Sequence, residues 1–174
     1  MLSQLELLKF AIDIAKEAGE IQRIYFGKNN TIKTKSTNID LVSQADIESE
    51  QLLIDKIKIK FPDHDIIAEE SDLKQKKSDF RWIIDPLDGT TNFVHKLPIF
   101  AVSIGIQYKE ETIVGVVYNP AADKLFYASK GEGAYLNEEM IRVSSSNTLS
   151  KSLIVTGFPY LHDKKWGLLF DIFK

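Results

Sequence analysis

The segment at residues 82–93, WIIDPLDGTTNF, constrains the chain most, because it places two acids directly after a run typical of a buried strand. Residues 82–84 are aromatic and β-branched, which predicts that strand. The Asp-Pro-Leu-Asp sequence that follows predicts a β-turn, because proline lacks the N–H needed for further pairing and favours the second position of a turn. The predicted turn carries carboxylates at its first and last positions, Asp85 and Asp88.

This predicted turn has the composition of a cation site beside an anion site. Its two carboxylates and the Leu87 carbonyl are hard oxygen ligands, and such a set suits Mg2+. Gly89 lets the backbone approach a ligand closely, and Thr90 opens a Thr-Thr-Asn run typical of a helix start, where free N–H groups bind phosphate. The alternative is a solvated loop, since Asp-Pro and Asp-Gly are common in turns. The buried strand before the turn and the helix start after it favour the functional interpretation.

Residues 85–93, preceded by Trp-Ile-Ile, resemble the signature of the inositol monophosphatase family, whose members are magnesium-dependent, lithium-sensitive sugar-phosphate phosphatases. Three further segments resemble family motifs and follow the family's order: Lys35 with residues 40–46, residues 61–71 with Ala68 in place of a glycine, and residues 131–134. The resemblance covers roughly the family's N-terminal two thirds. The family normally continues well beyond this length, and its final metal-binding aspartate has no counterpart in these residues.

The resemblance implies a metal site of two or three Mg2+ ions. Glu69, Asp85 and the Leu87 carbonyl are implied as ligands of the first ion. Asp85 and Asp88 are implied as ligands of the second, and Glu69 helps to place a third. Inhibition by Li+ is also implied.

Substrate binding and catalysis are implied for an overlapping set of residues. The N–H groups of Gly89 and Thr90 would hold the phosphate, with further substrate contacts from Glu69, Leu87 and Asp88. Thr90 and Asp46 would polarise the attacking water, and Lys35 would lie on a loop near the metal and water network. From its position alone, Asp46 also suits the start of a helix, where an acid is favoured as a cap.

Periodicity and propensity predict an α+β chain. Amphipathic helices are predicted from Leu2 to about Phe26, with Leu5 on the apolar side, and within residues 40–60, with Ile47 on the apolar side. Strands are predicted at residues 65–68, 81–85, 100–108, 112–118, 124–129, 134–136 and 141–143. A new strand start at 153–156 and a helix at 163–174 follow. The expected fold is the layered α/β sugar-phosphatase fold, with the two helices on one face of a large, mostly antiparallel sheet and a second sheet only begun. Residues 1–174 would form one domain whose C-terminal portion is absent.

Charge and composition exclude several classes of protein. Lys and Arg total 22 against 25 Asp and Glu, a net charge of −3, which argues against nucleic-acid or membrane partners. The chain has no cysteine, which excludes disulfides and thiolate metal sites. The N-terminus lacks signal-peptide features and no apolar run reaches the length of a membrane span, so a cytoplasmic location is expected. Family members tend to be dimers, so a homodimer is expected.

The predicted function is Mg2+-dependent hydrolysis of a phosphate monoester by metal-activated water, with inositol 1-phosphate as the first candidate substrate. Fructose 1,6-bisphosphate, 3′-phosphoadenosine 5′-phosphate and NADP are the alternatives within the superfamily. A haloacid-dehalogenase mechanism is rejected, because it needs Asp-x-Asp spacing. The non-enzymatic alternative is a truncated remnant or a protein-binding module. If residues 1–174 acted alone, without the family's final metal-binding aspartate, we would expect weak or absent turnover.

Overall fold

The computed structural model describes residues 3–28, 32–34, 41–69 and 76–155, and it contains both long helices. α1 is Gln4–Tyr25, and its start is fixed by a capping box between Ser3 and Glu6. α2 is Gln44–Lys60. The apolar faces were predicted less accurately than the bounds: Leu5 is 57% exposed and Ile47 is 41% exposed. The helix predicted at 163–174 lies outside the described residues.

The described strands follow the predicted order. They are β1 Ile32–Thr34, β2 Leu41–Ser43, β3 Asp65–Ala68, β4 Phe80–Asp88, β5 Ala101–Tyr108, β6 Glu111–Asn119, β7 Lys124–Ser129, β8 Gly133–Leu136 and β9 Glu139–Ile141. A short helix, α3 Thr90–Val94, follows β4, and a 3-10 turn spans Leu149–Lys151. β3 to β9 form one seven-stranded sheet in chain order, in which only the β3–β4 pair is parallel. β1 and β2 pair separately, and neither strand was predicted.

Both helices cover the same face of the large sheet. α1 packs on β5, β6 and β7, and α2 packs on β4. The core between these layers is built from aliphatic side chains together with Phe61, Tyr118 and Trp82, and Trp82 is fully buried. On the opposite face, within the described residues, Ile83, Val117 and Phe126 remain partly exposed at 39%, 41% and 38%. The predicted α+β architecture is therefore confirmed.

Three local predictions were wrong. The last strand of the sheet was predicted at residues 141–143, whereas β9 begins at Glu139 and ends at Ile141. Residues 153–155 form no strand, and Leu153 is 95% exposed. β4 also does not end at Asp85: it continues to Asp88 through a bulge, because pairing with β5 shifts register between these two residues. Pro86 is tolerated because β3 has already ended opposite Ile84 and the bulge requires no ladder N–H at this position.

In the part of the chain that the structure describes, no helix is both long enough and apolar enough to cross a bilayer.

A close contact between α1 and β6 gives a test of the packing. A Cβ atom on Gly19 would lie 2.5 Å from the ring of Tyr118, whose hydroxyl is held by Arg23 and Asp123. Gly19→Ala is expected to lower the free energy of unfolding by about 1–2 kcal/mol, because overpacking outweighs the gain in helix propensity. Gly115→Ala is the control, since a Cβ there meets nothing within 4 Å. Equal denaturation midpoints for the two variants would contradict the packing.

Candidate active site

The parallel pairing of β3 and β4 brings two acids to the same edge of the sheet. Ala68 is the register partner of Ile84, so the next residues along the two strands are Glu69 and Asp85. Together, burial, the charge and hydrogen bond of Glu69, and the charge of Asp88 raise the pKa of Asp85 to about 7, and burial is the largest of these causes. A cation bound beside Asp85 would offset the repulsion that its carboxylate experiences from these two neighbours.

The donor set fits Mg2+ in chemistry, with three carboxylates and one carbonyl offered as oxygen ligands. Among the described residues, no group of three or more acidic, histidine or cysteine side chains is already arranged around a common point. Asp85 is the carboxylate that interacts with both of the others, by a hydrogen bond and charge from Glu69 and by charge from Asp88. Its Oδ1 also accepts a hydrogen bond from the Leu87 N–H at 3.1 Å. Glu69 and Asp88 are exposed, so their side chains can turn toward a cation without displacing the core.

The Leu87 carbonyl is held in place by its own side chain. That side chain is 1% exposed and packs in a small cluster with Ala45, Phe93 and Phe100. The cluster is separate from the main core and lies where α1, α2 and α3 meet the bulge. The ring of Phe26 packs at a tilt against the rings of Phe93 and Phe100. Apolar packing of the Leu87 side chain therefore holds the bulge in place, while the oxygen atoms of the bulge remain available to bind a cation.

Thr90 connects the bulge to α2. Its hydroxyl lies 3.0 Å from Asp46 Oδ1 and 3.1 Å from the Leu87 carbonyl, and a hydroxyl has one proton to donate between these two acceptors. The other oxygen of Asp46 accepts from the N–H and the hydroxyl of Ser43, at 2.9 and 2.6 Å. Asp46 thus caps α2 with one oxygen and contacts Thr90 with the other. Burial raises its pKa, and the bonds from Ser43 and Thr90 oppose that shift.

Gly89 is required by the turn from β4 into α3. Its φ is +95°, in the left-handed region that favours glycine, and a Cβ would lie 2.9 Å from the Ile99 carbonyl oxygen. α3 begins immediately afterwards, and its first internal hydrogen bond runs from the Phe93 N–H to the Gly89 carbonyl at 3.0 Å. The amide groups ahead of that bond are the ones available to an anion. α3 has only five residues, so these amides matter more than a helix dipole.

The structure adds one residue that sequence reasoning missed. Gln22 on α1 is completely buried, and its Nε2 donates to the Pro86 carbonyl at 2.5 Å, 64 residues away in sequence. A signal was present: Gln22 follows Ala18 by four positions and Ala15 by seven, on the buried stripe of the helix. An amide on an otherwise apolar stripe indicates a specific partner.

The structure therefore brings together seven of the eight predicted site residues, from α2, β4, α3 and the turns that follow β3 and β4. They are Asp46, Glu69, Asp85, Leu87, Asp88, Gly89 and Thr90. The eighth predicted site residue, Lys35, lies outside the described residues. The chemistry available here is binding of a divalent cation beside a hydroxyl–carboxylate pair.

Comparison with known proteins identifies the family of the chain. The profile described as the inositol monophosphatase family matches residues 3–169. The "Nus factor SuhB" of Pasteurella multocida is 46% identical over 88% of this chain and 58% of its own length. The "Fructose-1,6-bisphosphatase/inositol-1-monophosphatase" of Aquifex aeolicus is 40% identical over 98% of this chain and 66% of its own.

A solved inositol monophosphatase from Anabaena superimposes with a TM-score of 0.76 at 40% identity, covering 88% of this chain and 56% of that one. The chain thus spans less than two thirds of the length of these relatives. The match extends over nearly all of these residues and includes the described sheet and helices, and we conclude that the chain belongs to the inositol monophosphatase family.

Proposed function

We propose that this chain supplies the metal ligands and the water-activating pair of a Mg2+-dependent phosphate monoester hydrolase, with inositol 1-phosphate as its first candidate substrate. The observation that carries this proposal is the position of the Thr90 hydroxyl, within hydrogen-bond distance of both Asp46 and the Leu87 carbonyl. That hydroxyl joins a carboxylate suited to accept a proton to a carbonyl suited to bind a cation. The two parts of a hydrolytic site are therefore adjacent.

The hydroxyl–carboxylate pair can activate a water molecule. When Thr90 donates its proton to Asp46 Oδ1, the lone pairs on its oxygen can accept a proton from water. Burial raises the pKa of Asp46, which makes its carboxylate a stronger base than an exposed aspartate. A cation held by the Leu87 carbonyl would repel the hydroxyl proton of Thr90, and it would thereby favour donation from Thr90 to Asp46 over donation to the carbonyl.

Glu69, Asp85, Asp88 and the Leu87 carbonyl would hold the Mg2+ ions. Bound Mg2+ lowers the pKa of coordinated water and neutralises charge on the phosphoryl group and the leaving oxygen. The amides of Gly89 and Thr90 would orient the phosphate beside Asp88, at the start of α3. No covalent enzyme intermediate is needed for this chemistry.

The proposal is tested by phosphate release and by metal binding in the protein that carries these residues. We expect Mg2+-dependent release of inorganic phosphate from inositol 1-phosphate, loss of release in a chelator, and inhibition by Li+. Fructose 1,6-bisphosphate, 3′-phosphoadenosine 5′-phosphate and NADP assayed in parallel identify the substrate. Mg2+ binding is measured separately by calorimetry, and absence of both binding and turnover would overturn the proposal.

A second candidate function is suggested by the Pasteurella relative, whose name describes a Nus factor. A family member can therefore carry a name that refers to a role other than hydrolysis, which supports the alternative of a protein-binding module on a phosphatase scaffold. The two candidates differ in one observable. A module of this kind would bind a macromolecular partner while releasing no phosphate from any of the four substrates, even at saturating Mg2+.

A further inference from the structure

The contact between Gln22 and Pro86 links the first helix of the chain to the bulge that carries the candidate metal ligands. Gln22 has no exposed surface, and its amide donates to the Pro86 carbonyl at 2.5 Å. Pro86 lies between Asp85 and Asp88, at the point where pairing with β5 shifts register. The contact thus supports the part of β4 that has least support from the sheet.

The same contact fixes the direction of the Asp85 carboxylate. The carbonyl of Pro86 and the N–H of Leu87 belong to one peptide group, which is planar and rigid. Gln22 holds the carbonyl end of that plane, and Asp85 Oδ1 accepts from the N–H end at 3.1 Å. Rotation of this plane would move the hydrogen bond of Asp85, and it would change φ of Leu87, the torsion that connects this plane to the peptide group of the Leu87 carbonyl.

The cost of keeping Gln22 buried argues against a purely structural role. Its Oε1 is buried and has no hydrogen-bond partner among the described residues. A buried acceptor without a partner lowers the stability of the fold, whereas an aliphatic side chain of similar volume at this position would carry no such cost. Local features that lower stability concentrate at functional sites.

We propose that Gln22 is a positioning residue for the candidate metal site, which orients the Pro86–Leu87 peptide group and through it the Asp85 carboxylate and the Leu87 carbonyl. This inference rests on the proposed function, because it assigns Gln22 to the cation site described above. Gln22 itself touches neither the cation nor the substrate. Its effect is expected on metal affinity.

The first test is Gln22→Leu, which keeps the volume and removes the donor. We expect the Kd for Mg2+, measured by calorimetry, to rise about 10–100-fold, the range found for residues that orient metal ligands. The melting temperature in chelator should change little, because the unpaired Oε1 is removed while the buried Pro86 carbonyl loses its donor, and the two effects oppose each other. A purely structural role would lower that melting temperature and leave the Kd unchanged.

The matched control is Ser49→Ala. Ser49 is also fully buried, and its hydroxyl donates to the Ala18 carbonyl across the interface of α1 and α2, one turn from Gln22. This variant loses a buried bond between elements without touching the bulge, so its Mg2+ Kd should equal that of the unmodified protein. If Gln22→Leu matches Ser49→Ala in Kd, Gln22 has no positioning role and the proposed function stands.

A second variant keeps the test decisive if Gln22→Leu fails to fold. In Gln22→Glu, a protonated carboxylic acid can still donate to the Pro86 carbonyl, so at about pH 6 we expect Mg2+ binding closer to that of the unmodified protein, since burial raises the pKa of the new acid. As the pH rises and the acid ionises, the carboxylate repels the carbonyl and the relative affinity should fall. An affinity ratio that rises with pH would overturn the proposal, and absence of Mg2+ binding in the unmodified protein would overturn it together with the proposed function.

Discussion

Asp85→Asn is expected to stabilise the metal-free protein at alkaline pH and to remove its response to Mg2+. The neighbouring carboxylates and burial raise the pKa of Asp85 to about 7 in the folded protein. In the unfolded chain this group has its ordinary acidic pKa, about 3.9. Between these two values the folded protein binds the extra proton, so the stability of the metal-free protein falls as the pH rises through this window. Asparagine does not ionise, so the stability of the metal-free Asp85→Asn variant should not fall in this way as the pH rises.

The measurement is a set of melting temperatures in chelator across the pH range, repeated with Mg2+. At about pH 8 the variant should melt above the unmodified protein, and at about pH 4 the two should agree. Saturation at 100 times the Kd stabilises a protein by about 2.7 kcal/mol, and this gain should be present only with Asp85 intact. Turnover should fall by at least about 10–100-fold.

Asp13→Asn is the control for Asp85→Asn, because Asp13 is exposed on α1 and remote from the bulge. It should change neither the pH profile nor the Mg2+ response. The same melting temperature for Asp85→Asn and Asp13→Asn in chelator at alkaline pH would contradict the claim that burial and the neighbouring carboxylates disfavour the ionised form of Asp85.

Thr90→Val is expected to reduce kcat by about 10²–10⁴-fold, the contribution of a positioned general base, with little change in the Kd for Mg2+. Valine retains the volume and the β-branch of threonine but removes the hydroxyl that contacts Asp46. Asp46→Asn should reduce kcat to a similar degree, because an amide cannot take the proton. The double variant, with both substitutions, should have a kcat hardly lower than that of either single variant, because the two side chains act as a unit.

Thr90→Ser is the control that retains the hydroxyl, and it should keep most of the turnover. Melting temperatures are needed beside the kinetics, because Asp46 also accepts two bonds from Ser43 at the start of α2. A Thr90→Val variant with near-normal kcat would show that the hydroxyl–carboxylate pair does not activate the water.

The local order of the chain could be predicted because the signals for it are local. The helix bounds, the order of the strands in the large sheet and the helix start after Gly89 follow from apolar periodicity, capping residues and turn residues. The resemblance to the family is local in the same sense, because each of its motifs is a short continuous run of residues. The end of β4 was mispredicted because proline was taken to stop pairing, whereas the bulge leaves no ladder bond for Pro86 to make.

The sequence by itself determined which oxygen-bearing residues are available for a cation and which short segments carry them. Only the tertiary structure decided which of them meet. The parallel register of β3 and β4 sets Glu69 beside Asp85, and the packing of α2 against the bulge sets Asp46 against Thr90. Gln22 could acquire its partner only in the folded chain, because 64 residues separate it from Pro86. Contacts between segments that are far apart in the sequence depend on how helices and strands pack. A local pattern of residues does not predict which distant segments will meet.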